Sequence, residues 1–318
     1  VHFPRRHNIK KLPAYDKRKS REFFVNRVRK QIHYSRAEKE QLTGYHIGVG
    51  VLDSGIFPHE DLKDQIRAFR DFTNKYQLPY DETGHGTHVC GILAGNGRVL
   101  HGKYKGMAPY CDLYVGKILN KRGEGSLKTL LRGLQWLLSI AESCNIRVIN
   151  ISVSSIASAR PEEQRKLYEL FQYAYENNIL IVTAAGNFGP GDNTISRLGD
   201  TPYVICVGCH DGDLENGGLR CQDCSGRGPG ENVWKKPDVV APGTQIISCQ
   251  AAYGKYVARS GTSMATPIVS GLLALAREKY PYLNAMQLKR KLILSATDLG
   301  ESYLMQGAGM VDVEKMLS

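Results

Sequence analysis

Long apolar runs are missing from this chain of 318 residues. No stretch approaches the ~20 consecutive apolar residues that a helix needs to cross a bilayer, so we expect no membrane-spanning helix. An apolar signal-peptide core is missing from the start as well, although a chain that begins with Val leaves room for an upstream piece. Internal repeats and low-complexity tracts are also lacking, and no linker stands out beyond an N-terminal arm.

Acidic residues are scarce in that arm. Positions 1–40 hold 13 Lys or Arg against 4 Asp or Glu, whereas the remaining positions hold 29 and 27. Basic clusters of this kind attract anionic surfaces and nucleic acid. However, the arm lacks a folded nucleic-acid motif, and its interleaved aromatic residues are limited to Phe23, Phe24 and Tyr34. The sequence therefore favours a solvated arm or a pro-segment remnant over residues 1–41, and it disfavours nucleic acid as a partner.

Apolar residues make up 42% of the chain and glycines number 33, which suits a packed α/β core with many sharp turns. Past the arm, apolar runs and helical patterns alternate as a doubly wound sheet requires. We predict strands at 46–52, 112–118, 147–151, 179–184 and 203–208. We predict helices at 85–95, 126–143, 161–178, 262–278 and 284–295, with Ser126 capping the second. Within the arm, a weak helical stripe covers 18–34, and S-R-A-E at 35–38 predicts a capping box that opens a short helix.

Three short segments supply an acid, a base and a nucleophile in that order. Asp53 lies in V-L-D-S-G-I, His85 in G-H-G-T-H-V and Ser263 in S-G-T-S-M-A-T-P. A serine hydroxyl is a poor nucleophile until an imidazole takes its proton, and that imidazole needs a carboxylate to hold its tautomer. Asp53 is predicted at the carboxyl end of a buried strand, where parallel α/β sheets build their sites. His85 and Ser263 are each predicted in the first turn of an apolar helix, where backbone N–H groups are unsatisfied.

These segments resemble those of the subtilisin (S8) family of serine endopeptidases, and the similarity spans roughly residues 42–314. I-F-P-H-E-D-L, Y-D-E-T-G-H-G-T-H, K-P-D-V-V-A-P-G and G-A-G-M-V-D-V all look familial, and the combination is most similar to the bacterial AprX-type intracellular subtilases. The resemblance implies a three-layer α/β fold with a mostly parallel central sheet and helices on both faces, in which residues 42–318 form the catalytic domain. It also implies an endopeptidase in which Ser263 attacks, His85 transfers protons and Asp53 orients His85.

The resemblance extends to an oxyanion hole and to substrate strands. The family places an oxyanion-hole asparagine at the end of I-V-T-A-A-G-N, which is Asn187 here. Subtilisins hold a peptide as an added strand between two strands of the enzyme. The resemblance therefore implies two such flanking strands in this chain. One matches Ser152, Val153 and Ser154, and the other matches Gly123, Glu124 and Gly125. The family usually has glycine where Ser154 stands, because the substrate backbone approaches closely, and this departure leaves the pocket size open.

Side-chain pockets follow from the same resemblance. Leu127, Leu130 and Val153 are expected to line an apolar P4 pocket. Phe188 is expected to form an apolar rim at P1, with Ser196 near the floor of that pocket. Glu124 is either a selector of basic residues at P2 or P4 or, as we favour, a solvated loop carboxylate.

A protein or peptide substrate follows from the family resemblance, without a membrane partner. Two alternatives stay open, namely a maturation protease that cuts one partner and a non-catalytic protein that holds peptides or nucleic acid; the intact Ser263 disfavours the second. K-K-L-P-A-Y in the arm loosely resembles the inhibitory extension of intracellular subtilisins, so we expect the arm to dock on the catalytic domain and to occlude its cleft. We expect a cytoplasmic location, or secretion if an upstream signal segment has been removed.

The chemistry requires no cofactor, and we assign no metal ligands. Structural calcium is common in the family, and Asp61 matches a familial calcium aspartate. The nearby stretch N-G-R-V-L-H-G-K-Y is basic and lacks the expected ligand pattern, so a calcium ion stays open without an assigned site.

Eight cysteines leave three alternatives open. Cys206-V-G-Cys209 and Cys221-Q-D-Cys224 have the spacing of zinc sites. Residues three apart in a strand face opposite sides, so Cys206 is excluded, and only Cys209, Cys221 and Cys224 with His210 could converge. Free thiols are favoured, with a disulfide or structural zinc as the alternatives, and the scattered usage favours a reducing compartment.

Overall fold

The central element is a mostly parallel sheet between two helical layers. The computed structural model describes residues 23–74, 76–153, 160–212, 220–229 and 234–318, with the side chains of 23–26 left out. The strands within these ranges are β1 Gly48–Asp53, β2 Ile66–Asp71, β3 Asp112–Lys117, β4 Ile146–Ile151, β5 Leu180–Ala184, β6 Val204–Cys209, β7 Val239–Ala241, β8 Ile246–Cys249 and β9 Tyr256–Arg259. The helices are α1 Phe23–Gln31, α2 Ser35–Lys39, α3 His85–Ala94, α4 Leu127–Ile140, α5 Pro161–Glu176, α6 Cys221–Cys224, α7 Thr262–Lys279, α8 Ala285–Ser295, α9 Tyr303–Gln306 and α10 Val313–Met316, with a 3₁₀ turn at Arg98–Leu100.

The order of strands in the described sheet is β2-β3-β1-β4-β5-β6-β7, and every described pair in it is parallel. The carboxyl ends of these strands therefore meet at one edge of the sheet. β8 and β9 form a separate antiparallel pair. The predicted three-layer α/β fold is confirmed, and the five predicted strands agree with β1, β3, β4, β5 and β6 to within two residues.

Each face of the sheet has its own apolar core. One core packs α3 and α7 against the sheet, and the other packs α4 and α5 against the opposite face. α7 is buried along almost its whole length, because its residues are small or apolar on every side. α4 begins at the predicted cap, where the Ser126 hydroxyl accepts the Thr129 N–H at 3.1 Å.

The described part of the arm belongs to the first of these cores. Ile32 and Ala37 are fully buried there, and the Tyr34 hydroxyl donates to the Met107 carbonyl at 2.5 Å. The Val313 N–H donates to the Ile32 carbonyl at 2.7 Å, which joins the arm to α10. The domain boundary at 41/42 stays a prediction, and residues 1–22, which include K-K-L-P-A-Y, lie outside the described part of the chain.

The predicted capping box in the arm is wrong, although the short helix is present as α2. Tyr34 rather than Ser35 occupies the cap position and makes no side-chain cap bond. The Ser35 hydroxyl instead lies 3.5 Å from a Glu314 carboxylate oxygen. None of the described helices combines the length and the apolar character needed to cross a membrane.

Candidate active site

His85 contacts Asp53 directly at the carboxyl edge of the sheet. Its Nδ1 lies 2.7 Å from Asp53 Oδ1. Asp53 ends β1 and is fully buried, whereas 24% of the His85 side chain is exposed. Burial favours the neutral imidazole, but the charge of Asp53 and its hydrogen bond outweigh burial and raise the pKa of His85 above its ordinary value. Because a carboxylate only accepts, Nδ1 carries the proton and Nε2 is left to accept one.

The turn before α3 is held by Asp81. Its Oδ1 accepts the Ser54 hydroxyl at 2.8 Å and the Gly84 N–H at 2.9 Å. Its Oδ2 accepts the Thr87 N–H at 2.8 Å and the Thr87 hydroxyl at 2.7 Å. Burial alone would raise the pKa of Asp81, but the bonds from Thr87, Ser54 and Gly84 lower it below its ordinary value. Asp81 therefore fixes the first turn of α3, and with it the place of His85.

Sequence reasoning missed this role of Asp81 and Ser54. The signal was present, since Asp81 lies four residues before His85 in Y-D-E-T-G-H. Ser54 follows Asp53, and its hydroxyl also accepts the Gly86 N–H at 2.9 Å. A Cβ on Gly86 would lie 2.1 Å from the Gly55 carbonyl oxygen, so this close packing requires glycine.

Ser263 is the second residue of α7 and is 9% exposed. On either side of it the backbone N–H groups are bonded, since Thr262 donates to Asn187 Oδ1 at 3.0 Å and Met264 donates to the Gly261 carbonyl at 3.0 Å. Among the described residues, nothing accepts the Ser263 N–H itself. The start of α7 therefore presents a free donor next to the Ser263 hydroxyl.

Asn187 follows β5 and reaches the start of α7. Its Oδ1 accepts both the N–H and the hydroxyl of Thr262, at 3.0 and 3.1 Å. Its Nδ2 donates to no described residue, so a second free donor lies at this edge. Since α3 packs against α7 and both begin here, His85 and Ser263 share the carboxyl edge of the sheet. Within the described ranges, neither His85 Nε2 nor the Ser263 hydroxyl has a hydrogen-bond partner.

Two cations border this edge. Arg259 ends β9, and its Nη2 donates to the Thr83 carbonyl at 2.9 Å, two residues before His85. After burial and Asp53, its charge is the next influence on the pKa of His85, and it lowers that pKa. Lys117 is fully buried, and its Nζ donates to the Ser54 carbonyl at 2.6 Å and the Leu119 carbonyl at 2.8 Å. Sequence reasoning singled out neither residue.

The residues expected to form substrate strands occupy two segments. Gly123, Glu124 and Gly125 lie in a loop after β3, where the Asn120 N–H donates to the Glu124 carbonyl at 2.9 Å. The exposed Glu124 carboxylate accepts the Asn120 amide at 3.2 Å, which agrees with a solvated loop residue. Ser152 and Val153 follow β4 and are buried, while Ser154 lies outside the described residues.

The residues expected to form side-chain pockets differ in exposure. Leu127 and Leu130 are buried on α4, with Leu130 fully inside the second core. Phe188 is 58% exposed, as a rim residue would be. Ser196 is buried, and its N–H donates to the Ala185 carbonyl at 2.7 Å, which places it beside the segment that leads to Asn187. Their roles in substrate binding stay predictions.

Asp61, the match to the familial calcium aspartate, accepts hydrogen bonds from protein donors. Its Oδ1 accepts the Val99 N–H at 3.0 Å, and its Oδ2 accepts the Tyr256 hydroxyl at 2.6 Å. Each oxygen therefore already holds one protein donor, and Arg98, next to Val99 in the chain, is a cation that pairs with Asp64 at 2.6 Å. His59 and Cys249 lie close to Asp61, but both ring nitrogens of His59 are already hydrogen-bonded, to the Asp61 N–H and to the Lys255 carbonyl.

Cys209 and Cys221 form a disulfide, with their Cα atoms 5.8 Å apart. Of the three alternatives for the cysteines, this pair thus takes the disulfide, whereas Cys224 and Cys206 are free. The Asp211 carboxylate lies close to the two sulfurs but already accepts the N–H groups of Gly243 and Thr244.

A profile of the Subtilase family matches residues 44–311. The chain belongs to the subtilase family. Serine protease AprX of Bacillus subtilis (strain 168) is 35% identical over 299 residues, which cover 86% of this chain and 67% of AprX. Subtilisin DY of Bacillus licheniformis is 33% identical over 285 residues, which cover 88% of this chain and 94% of that protein.

Solved structures with a similar fold are found as well. S41 Psychrophilic Protease superposes with a TM-score of 0.75 at 29% identity, over 85% of this chain and 92% of that one. Sphericase superposes with a TM-score of 0.74 at 30% identity, over the same shares of the two chains. This subtilase is therefore a subtilisin-type serine endopeptidase with protein or peptide substrates.

Proposed function

We propose that Asp53, His85 and Ser263 are the catalytic triad of this subtilase, and that Asn187 and the Ser263 N–H form its oxyanion hole. The observation that carries the proposal is the 2.7 Å contact between His85 Nδ1 and Asp53 Oδ1, which leaves Nε2 to accept a proton. The two free donors beside the Ser263 hydroxyl support it, because a tetrahedral intermediate needs donors where its negative oxygen forms.

The steps follow from these positions. His85 Nε2 takes the proton of the Ser263 hydroxyl as Oγ bonds to the scissile carbonyl carbon, and the carbonyl oxygen becomes an oxyanion. Asn187 Nδ2 and the Ser263 N–H donate to that oxygen. His85 then gives its proton to the leaving amine, and an acyl-enzyme remains on Ser263. Water, activated by His85 in the same way, releases the second product and restores the hydroxyl.

We propose that the substrate lies as an extended strand between the 123–125 loop and residues 152–154. Strand addition binds the peptide backbone regardless of sequence, so that pockets alone select side chains. Leu127, Leu130 and Val153 are the proposed wall of the P4 pocket, and Phe188 is the proposed rim at P1. The exposed ring of Phe188 supports this role, since a buried ring could not contact a substrate.

This mechanism needs no cofactor, because Ser263 supplies the nucleophile and His85 accepts and donates every transferred proton. A structural calcium ion without an assigned site stays a prediction, as does a cytoplasmic location.

We further propose that the arm is docked on the catalytic domain and acts as an extension of its core. The burial of Ile32 and Ala37 and the Tyr34–Met107 bond support docking of residues 27–41. Two deletions separate folding from inhibition. Removing 1–35 should lower the midpoint of thermal unfolding, because it removes Ile32, whereas removing only 1–22 should leave it unchanged and raise peptide hydrolysis if that segment occludes the cleft. Unchanged stability and activity in both deletions would refute the docking and the occlusion.

The triad is tested with a diverse synthetic peptide pool analysed by mass spectrometry. We expect the full chain to cleave peptides and Ser263→Ala to lose about 10⁶-fold in turnover, the magnitude known for subtilisin. Ser139→Ala, at an exposed serine on α4, is the matched control and should retain full activity. Equal cleavage by Ser263→Ala would contradict the proposal. The same data separate broad cleavage from a single preferred sequence, which a maturation protease would show.

A further inference from the structure

A polar cavity lies at the opposite end of the sheet from Asp53. It has a volume of about 200 Å³ and opens where the start of β4, the turn after α5 and the connection from α7 to α8 meet. A single water needs only ~10–15 Å³ of such space, so this cavity admits a small multi-atom ligand. Its charged lining consists of Arg147 from β4 and Arg277 from α7.

Arg277 is buried without a carboxylate partner. It is 4% exposed, its two terminal nitrogens donate to the carbonyls of Leu283 and Asn178, at 2.5 and 2.7 Å, and its Nε is buried with no partner. Burial and the nearby Arg147 lower the pKa of Arg277 to about 10, so it stays charged at neutral pH. In the part of the chain that the structure describes, no carboxylate lies within ion-pair distance of Arg147 or Arg277. Two positive charges therefore share the cavity without a counter-charge.

Two asparagines that line the cavity, Asn178 and Asn284, have side-chain oxygens that already accept hydrogen bonds. Asn178 Oδ1 accepts the Ala285 N–H at 3.2 Å, and Asn284 Oδ1 accepts the Gln287 N–H at 2.9 Å. The amide nitrogens of both asparagines donate to no described residue. The positive end of the α8 dipole lies here too, since Asn284 caps that helix. The two uncompensated arginines and these amide donors favour a ligand that is rich in acceptors and negatively charged.

From these observations we infer that this cavity is a binding site for a small tetrahedral oxyanion of the phosphate class. The planar guanidinium of Arg147 is suited to bidentate contact with such an anion, while the charge of Arg277 attracts it and the amides of Asn178 and Asn284 supply further donors. A metal cation is excluded by the two arginines, and an uncharged ligand would leave both charges uncompensated. Because Arg277 also holds the 283 carbonyl and α8, an anion here would stabilise the join between α7 and α8.

Inorganic phosphate tests the inference on the full chain that carries Ser263→Ala, which removes self-digestion and keeps the result independent of the proposed chemistry. Binding is measured by isothermal titration calorimetry, and thermal unfolding is followed in phosphate and in sodium chloride at matched ionic strength. Arg147→Gln is the informative variant, because the Arg147 side chain makes no hydrogen bond within the described residues and its loss should not disturb the fold. Arg290→Gln, an equal change of charge at an exposed site on α8, is the matched control.

We expect saturable phosphate binding and a raised unfolding midpoint in the parent and in Arg290→Gln. Arg147→Gln should bind about tenfold more weakly or worse, since hydrogen bonds to charged groups contribute at least this factor. General salt stabilisation acts on all three proteins alike and cancels in the comparison. Absence of saturable binding, or equal affinity in Arg147→Gln, would overturn the inference. Sulfate should compete with phosphate, whereas acetate competing equally well would overturn the assignment to a tetrahedral anion.

Discussion

The Asn187 side chain accepts the Thr262 N–H at 3.0 Å and so ties the segment after β5 to the first turn of α7. This bond uses Oδ1 and therefore orients the amide so that Nδ2 is free. A single residue thus has two roles, one in positioning α7 and one as a proposed donor to the oxyanion, and the two roles reside on different atoms.

Substitutions at Asn187 can separate these roles. Asn187→Asp keeps the Oδ1 acceptor for Thr262 but removes the Nδ2 donor, and Asn187→Ala removes both. We expect both variants to lose about 10²–10³-fold in kcat, a magnitude carried over from subtilisin, with little change in KM. Only Asn187→Ala should also unfold at a lower temperature. If Asn187→Asp retained full kcat in steady-state assays, the donor role would be wrong.

The pH dependence of activity should reflect His85. The base must be neutral to accept a proton, so activity is lost as pH falls through its pKa, which Asp53 holds above the ordinary value of 6.5. Arg259→Gln removes a nearby cation, so the pKa should rise further and the acid limb of the kcat/KM profile should move to higher pH. Arg259→Lys keeps the charge and should leave the limb nearly in place. A limb that moves to lower pH in Arg259→Gln would contradict this electrostatic role.

Lys117 should contribute more to stability through its two carbonyl partners than through its ion pair. Lys117→Met leaves the Ser54 and Leu119 carbonyls buried without a donor, and we expect a loss of about 2–4 kcal/mol in the free energy of unfolding. Its ion-pair partner Glu82, at 3.3 Å, is 37% exposed, so Glu82→Gln should cost less than about 1 kcal/mol. Denaturant unfolding in the Ser263→Ala background measures both losses, and equal losses would show that the ion pair dominates.

Gly243 couples the disulfide to the start of α7. Its carbonyl accepts the Gly261 N–H at 3.0 Å, and an added Cβ would lie 2.5 Å from Cys209 Sγ and 2.7 Å from the Gly261 oxygen. We therefore expect Gly243→Ala to lower the free energy of unfolding by about 1–3 kcal/mol and to lower kcat by displacing Ser263. Gly191→Ala is the control, because a Cβ there meets only Thr194, at 3.9 Å. Wild-type kcat in Gly243→Ala, measured with a peptide substrate, would refute the coupling.

The sequence predicted the elements that carry strong local signals. The strand that ends at Asp53 and the helices that begin at His85 and near Ser263 are long or uniformly apolar, so their type and position follow from the pattern. β2 was missed because I-R-A-F-R-D, at the edge of the sheet, has three charged residues and no regular alternation of apolar and polar positions. β7, β8 and β9 have only three or four residues each, too few for a periodic pattern.

The supporting contacts could not be predicted, because they depend on residues that are distant in the chain. Lysine is rarely buried, yet Lys117 is buried and donates to the Leu119 carbonyl nearby and to the Ser54 carbonyl, which is 63 residues away in the chain. Likewise, cysteine spacing left three alternatives open, and only the fold brings Cys209 next to Cys221. The burial of Lys117 and the pairing of Cys209 with Cys221 depend on the tertiary fold. The segments of the proposed triad, in contrast, could be recognised from their local sequence pattern.

Labelling with a fluorophosphonate tests the proposed triad most directly, because the reagent reacts with a serine only when a neighbouring base activates it. Mass spectrometry of the digested adduct identifies the modified residue. We predict a single adduct on Ser263 in the full chain, none in Ser263→Ala, and strongly slowed labelling in His85→Ala. Labelling at another serine, or equally fast labelling in His85→Ala, would contradict the account.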